Sequence, residues 1–249
     1  MGLGGRNAVV TGGASGIGRS IALRLARDGA DVAILDVDLA GAEDVARQVV
    51  AAGRRAVAAP ADVASAASVR AAVDRVHGAL GAIHVLVNDA GIAGFVPLVQ
   101  MTEEEWDRLI AVHLKGTFNC TRALIQGMLD ARWGRVVNIA SVAGLNGGGP
   151  GLTHYAAAKA GIIGFTKALA LEVAAFGVTV NAIAPGLVET PLLARSGMPR
   201  EIRDRIVQQM PVQRIGTPDD IAAACAYLVS EEASFFTGQV MSPNGGGYL

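Results

Sequence analysis

Short apolar runs rich in Val, Ile and Ala recur at about 7–11, 32–36, 56–60, 83–87, 135–140, 178–183 and 238–242. Between them lie stretches with helical spacing of apolar positions, at about 16–28, 40–52, 66–80, 103–130, 154–175 and 218–230. Strands that read as near-continuous apolar runs are those covered on both faces. Their alternation with helices predicts an α/β fold, a doubly wound, parallel, seven-stranded sheet with helices on both faces. Right-handed crossovers then place the ligand crevice at the carboxyl ends of the strands. Two helix starts are legible. Thr102 with Glu105 has the pattern of a capping box, and Thr217-Pro218-Asp219-Asp220 supplies an N-cap, a first-turn proline and first-turn acids. The alternation breaks at about 191–211, where Gly197 and Pro199 precede the helical pattern Glu201-Ile202-Arg203-Asp204-Arg205-Ile206-Val207. This is expected to be a short helical insertion over the crevice, a substrate lid. With no linker or repeat, residues 1–249 read as one domain.

Composition narrows the function classes. The chain is 51% hydrophobic but only 4% aromatic, so Ala, Val, Leu and Ile must build the core. Its 21 basic and 22 acidic residues leave a net charge of −1. That balance carries neither the footprint of a nucleic-acid binder nor a polybasic patch for a membrane. Cys120 and Cys225 are the only cysteines, which fits a reduced compartment better than a disulfide framework. His77, His84, His113 and His154 are scattered, with no metal spacing, and no metal is expected. The first strand begins by about residue 7, with no room for a secretory leader, and a cytoplasmic location is expected.

The candidate chemistry lies at Tyr155-Ala-Ala-Ala-Lys159, with Ser141 upstream. Residues i and i+4 share a helix face, so phenol and ammonium can point into one cleft. A phenol with a pKa near ~10 is a poor acid or base at neutral pH, and a nearby cation lowers that value. The pair can therefore exchange a proton with a carbonyl/alcohol couple, and Ser141 can add a hydrogen bond to the same oxygen. At the amino end, residues 7–11 run as a strand into Thr11-Gly12-x-x-x-Gly16-Ile17-Gly18 and then a helical pattern. A glycine-rich turn between strand and helix lets backbone approach a pyrophosphate, which the helix N-terminus stabilises.

Together these motifs closely resemble the short-chain dehydrogenase/reductase family, in the branch of 3-oxoacyl reductases and secondary-alcohol dehydrogenases, over nearly the whole chain. The resemblance implies a Rossmann-type dinucleotide-binding domain and reversible hydride transfer between a nicotinamide and a secondary alcohol/ketone or 3-hydroxyacyl/3-oxoacyl substrate. Gly12, Gly16 and Gly18 fill the family's glycine positions, with Ile17 beneath the cofactor. Asp36 ends the second strand, where a carboxylate accepts from the adenosine ribose and repels a 2′-phosphate. Ser15 stands where members preferring the phosphorylated cofactor carry Arg or Lys. Both observations favour NAD over NADP. Asp62-Val63 resembles the adenine-binding pair, and Asn88-Asp89-Ala90-Gly91 the Asn-Asn-Ala-Gly element, with Asp89 departing from it. Pro185-Gly186, Val188 and Thr190 resemble the nicotinamide element. Ser141, Tyr155 and Lys159 are the implied catalytic set, Tyr155 being the general acid/base and Lys159 also holding the nicotinamide ribose. The family's fourth catalytic residue, an Asn, is replaced by His113, and an altered proton relay is expected.

The expected substrate wall includes Phe95, Val142 and Leu192, apolar and uncharged. An NADPH-dependent 3-oxoacyl-acyl-carrier-protein reductase is the alternative, but the basic docking patch is incomplete: Arg132 matches it and Phe176 does not. A non-catalytic NAD-binding regulatory protein is the remote alternative. The resemblance further implies a homotetramer, built on the helices bearing His113 and Tyr155/Lys159 and on the apolar end from Phe235-Phe236 to Tyr248-Leu249.

Overall fold

A computed structural model describes residues 2–196, 198 and 200–249. Strand β1 (Asn7–Thr11) leads through the glycine-rich turn into α1 (Gly16–Arg27), and β2 (Asp31–Asp36), α2 (Leu39–Ala51) and β3 (Ala56–Pro60) follow. Helix α3 (Ala66–Leu80) then crosses back, and β4 (Val85–Asn88) pairs with the other side of β1. The second half continues outward from there. It comprises α4 (Glu103–Ile110), α5 (Gly116–Asp130), β5 (Gly134–Ile139), the short α6 (Ala143–Asn146), α7 (Thr153–Val173) and β6 (Val178–Ile183). Helices α8 (Pro191–Arg195) and α9 (Arg200–Gln209) form the insertion, before α10 (Pro218–Val229) and β7 (Val240–Met241). The strand order β3-β2-β1-β4-β5-β6-β7 is parallel throughout. The order reverses between β1 and β4, so a crevice opens at their carboxyl ends.

Strand side chains alternate between two cores, as a period of two requires. Val10, Ile34, Val87 and Ile139 face α1, α2 and α10, where Ile21, Leu25, Val45 and Leu228 are fully buried. Val9, Leu35, Leu86 and Val136 face α3, α5 and α7, against Val73, Leu124, Met128 and Val173. The expected capping box at Thr102 and Glu105 forms, and a second one joins Thr217 and Asp220. None of the described helices is long and apolar enough to cross a membrane.

The sequence pattern over 103–130 reads as one helix, but the structure inserts a π turn, Ala111–Lys115, between α4 and α5. Such turns add a residue to the helical circuit and re-aim the side chains on it. The insertion at 191–211 is helical as expected, although Gly197 and Pro199 within it lie outside the described residues.

A buried polar network ties the carboxyl ends of the central strands to the helices above them. Asn88 Nδ2 donates to Asn138 Oδ1 at 2.8 Å and to Thr121 Oγ1 at 3.1 Å. Asn138 Nδ2 in turn donates to Thr166 Oγ1 at 2.9 Å. This links β4, β5, α5 and α7. Replacing Asn138 by Ala leaves the Asn88 and Thr166 groups without that partner in a fully buried place. A loss of roughly 2–4 kcal/mol in urea unfolding is expected, with an unchanged m value. A loss within measurement error would show that the network is dispensable.

Candidate active site

The amino-terminal half of the cleft is shaped by missing side chains. Gly12 and Gly16 have φ of 67° and 55°, which glycine adopts without strain. A Cβ on Gly12 would sit 2.8 Å from Ala90 Cα, so the turn after β1 touches the turn after β4. Gly18 lets α1 start close to the strand, because a Cβ there would overlap the Gly12 carbonyl oxygen. Ser15 precedes α1 without capping it by its side chain. The N–H groups of Gly16 and Ile17 in the first turn of α1 are thus left for an anion.

These elements open onto one cleft of about 1420 Å³ that reaches Ser141, Tyr155 and Lys159 and continues beneath α8 and α9. That exceeds the roughly 300–1,000 Å³ of an ordinary small-molecule pocket. The uncapped helix start, the side-chain-free turn and this length fit a dinucleotide with a substrate beside it. Ser15, Gly16, Ile17, Asp36, Asp62, Val63, Ala90 and Gly91 line its first half, and Pro185, Gly186, Val188 and Thr190 line the floor of the second. Gly18 and Asn88, grouped with them by sequence, stand behind the wall as braces. Asp36 Oδ2 accepts from Ala14 N at 3.0 Å and Oδ1 from Asp38 N at 3.0 Å, which fixes the carboxylate at the cleft edge with lone pairs to spare. Thr190 Oγ1 accepts from Leu193 N at 3.1 Å, capping α8. The floor of the cleft thus runs directly into the start of the insertion.

Lys159 is buried, and its Nζ donates to the carbonyl of Ile139, the last residue of β5, at 2.7 Å. The ammonium lies 5.6 Å from the centre of the Tyr155 ring. Gly144 makes this approach possible: a Cβ on it would lie 2.7 Å from the Lys159 carbonyl carbon. Ser141 Oγ accepts from Ala143 N at 3.1 Å. Burial raises the Tyr155 phenol above its ordinary value, a hydrogen bond from the Ser141 hydroxyl lowers it, and the charge of Asp89 raises it further. The spacing implies a lowering of the phenol by Lys159; the value is instead set by desolvation, Ser141 and Asp89, and it moves up. The same burial lowers the Lys159 ammonium, and Asp89 opposes that shift.

His113 occupies the π turn and is buried. Its ring stacks on Gly91, where a Cβ would lie 2.5 Å from His113 Cε1, and meets the Tyr155 ring edge-on at 5.5 Å. Nε2 lies 3.1 Å from Ile92 N and 2.8 Å from Ile92 O, while Nδ1 is buried with no hydrogen-bond partner among the described residues. Burial, reinforced by the Lys159 charge, pushes the imidazole down to about 3. It is neutral at physiological pH and holds the loop after β4, bonding to the backbone of Ile92.

Phe95, Val142 and Leu192 line the outer half of the cleft, as expected. Leu193, Ile206 and Met210 join them from the insertion, and Asn244 and Gly247 from the chain end. The i, i+4 pair Ile202 and Ile206 was a visible signal for the insertion's inner face. Nothing local marked Asn244, nor the Ile139 carbonyl that anchors Lys159. Among the described residues no His, Cys, Asp or Glu group is arranged to hold a metal.

A family model described as enoyl-(acyl carrier protein) reductase matches residues 12–247. The chain is 42% identical to the (2S)-[(R)-hydroxy(phenyl)methyl]succinyl-CoA dehydrogenase subunit of Thauera aromatica, over 99% of this chain and 98% of that one. It is 41% identical to a 3-oxoacyl-(acyl-carrier-protein) reductase of Staphylococcus epidermidis, over 98% and 99%. The crystal structure of levodione reductase superposes with a TM-score of 0.92 at 34% identity, covering 98% of this chain and 97% of that one.

The depressed His113 has a consequence for stability. Its value falls from 6.5 when unfolded to about 3 when folded, so below 6.5 the unfolded chain binds a proton that the folded one refuses. Unfolding free energy therefore decreases as pH falls, with up to about 1.4 kcal/mol per unit from this residue. Urea titrations from roughly pH 7 down to roughly pH 4 are expected to show a shallower decline for His113→Asn than for the parent protein. Equal slopes would mean that the folded imidazole takes up the proton.

Proposed function

The chain belongs to the short-chain dehydrogenase/reductase family of nicotinamide-dependent oxidoreductases, and from that premise we propose that it interconverts a secondary alcohol and its ketone, with 3-hydroxyacyl and 3-oxoacyl thioesters as the favoured substrate class and NAD as the cofactor. The observation that carries this reading is the convergence of Ser141, Tyr155 and Lys159 at the centre of a cleft whose inner half fits a dinucleotide. When bound, the nicotinamide supplies the acceptor or donor for the hydrogen and electron pair exchanged at the carbinol carbon.

The chain's own residues handle the proton. Ser141 Oγ and the Tyr155 phenol oxygen hold the substrate oxygen between them. In the oxidative direction Tyr155 accepts the alcohol proton, and in the reductive direction it returns it. Burial keeps the phenol protonated in the free protein, so the phenolate forms only with a cation close by. Lys159, held by the Ile139 carbonyl, provides that charge at a fixed place. His113 steadies the Tyr155 ring edge and, being neutral, adds no competing charge. Gly12, Gly16, Ile17 and the first turn of α1 would hold the pyrophosphate, Asp62 and Val63 the adenine side, and Pro185 to Thr190 the nicotinamide side.

Support for NAD comes from charge at the adenosine end. Asp36 and Asp38 line the cleft there, while Arg19, in the adjoining pocket beside Ser15 and Gly16, is engaged by Gln48 at 2.8 Å. A 2′-phosphate would face two carboxylates. Support for a thioester substrate comes from the apolar outer half and from curated relatives named for acyl thioesters. The 3-oxoacyl-acyl-carrier-protein reductase reading is favoured by the second of those relatives. Against it, Arg132 spends its guanidinium on the Ala175 carbonyl at 3.0 Å, and Phe176 beside it is exposed, a poor dock for an acidic carrier. Helices α8 and α9 act as the substrate lid, and the exposed Leu171, Phe235 and Leu249 support a tetramer interface.

Tyr155→Phe is expected to lose about 10²–10⁴-fold in turnover while retaining cofactor affinity. Full activity in that variant would remove Tyr155 from the chemistry. Turnover of a 3-oxoacyl thioester is expected to favour NADH over NADPH, and Asp36→Ala is expected to narrow that ratio by about tenfold or more. An NADPH preference in the parent protein would overturn the cofactor reading.

A further inference from the structure

Asp89 takes no part in the proton chemistry above, yet it sits where three elements of the site meet. Its backbone N–H donates to Thr11 Oγ1 at 3.1 Å, closing the turn after β4 onto β1. Its carboxyl turns beneath α1: a Cβ on Gly18 would lie 2.8 Å from Asp89 Oδ2, and the nearby Gly18 N–H favours its ionised form. Gly18 belongs to the first turn of the helix whose start faces the cleft. Asp89 also lines the cleft floor between that helix start and Lys159.

The groups facing the carboxyl come from three elements. Asp36 at the end of β2 adds a like charge, and Lys159 on α7 an opposite one. Tyr155 on α7 and the Cys225 thiol on α10 both feel the Asp89 charge and are held neutral by burial. The Lys159 ammonium is directed at the Ile139 carbonyl, which leaves Asp89 with an attraction but no hydrogen-bonded ion pair among the described residues. Burial and Asp36 outweigh that attraction, so the carboxyl is harder to ionise than an ordinary aspartate.

An asparagine, the residue of the resembling family element, would present an oxygen to the same Gly18 N–H with the same shape. What Asp89 adds is a charge that comes and goes. The start of α1 is the place for a diphosphate, and a carboxylate beneath it repels that anion and cancels part of the helix-end field that attracts it.

We propose that Asp89 is a proton-linked determinant of dinucleotide affinity, the cofactor binding best when this carboxyl is protonated and drawing a proton onto it on binding. This rests on the reading of the cleft as a dinucleotide site. The sign follows from linkage: an anion that binds the protonated form preferentially takes up protons, and its affinity falls as pH rises.

The test is calorimetry of NADH binding in two buffers of different ionisation enthalpy, which counts protons, with dissociation constants from about pH 6 to about pH 9. The parent protein is expected to take up a proton fraction and to lose affinity with rising pH, by no more than about tenfold per unit. Asp89→Asn is expected to bind without proton uptake, with a flat profile and tighter binding at the alkaline end. Zero uptake or proton release in the parent protein overturns the proposal without any variant. Equal uptake in both proteins overturns it as well, by assigning the proton to another group. Failure of both proteins to bind NADH at any pH sinks the dinucleotide reading itself, and this proposal with it.

Discussion

The bond from Lys159 Nζ to the Ile139 carbonyl is the constraint on which the site depends. It joins the long helix α7 to the carboxyl end of a central strand at 2.7 Å. A buried ammonium is costly unless hydrogen-bonded, and here an orphan strand-end carbonyl satisfies it. Everything else is arranged to allow that contact. Gly144 removes the side chain that would push α6 off α7, and the Asn88–Asn138–Thr166 network holds β4, β5 and α7 in register beneath it. Tyr155, one turn earlier on α7, inherits its position from Lys159.

The architecture explains why two such different jobs share one cleft. The reversal of strand order between β1 and β4 creates the crevice, and its two flanks are unlike. One flank is backbone, with glycines and an uncapped helix start. The other carries side chains with displaced ionisation, Tyr155 pushed up and Lys159 pushed down by the same burial. Both displacements favour the uncharged forms, so a phenolate here needs the ammonium beside it, and proton exchange is tied to the pair rather than to either group alone. Asp89 stands between the flanks and couples them through charge.

Much of this was legible in the chain. Apolar runs of five or six residues marked the strands because parallel strands are buried on both faces, and Thr102 and Thr217 marked helix starts because their caps are local. The glycine turn and the Tyr155/Lys159 pair were visible for the same reason, each being a short motif with a fixed spacing. The π turn was not legible, since its apolar spacing matches that of an uninterrupted helix. Nor was the neutrality of His113, which arises from packing against Gly91 and Tyr155 across the fold. The direction of the Tyr155 shift was also hidden: the spacing shows the nearby cation, while the burial that raises the phenol depends on tertiary structure.

The most direct test of the proposed reaction is isotope transfer. A 3-hydroxyacyl thioester carrying deuterium at the carbinol carbon is incubated with the protein and NAD, and the reduced cofactor is weighed by mass spectrometry. The deuterium is expected in the reduced nicotinamide, because the proposed reaction passes the carbinol hydrogen to the ring and leaves Tyr155 only the hydroxyl proton. Reduced cofactor without the label, or product formed with the label released to water, would contradict it.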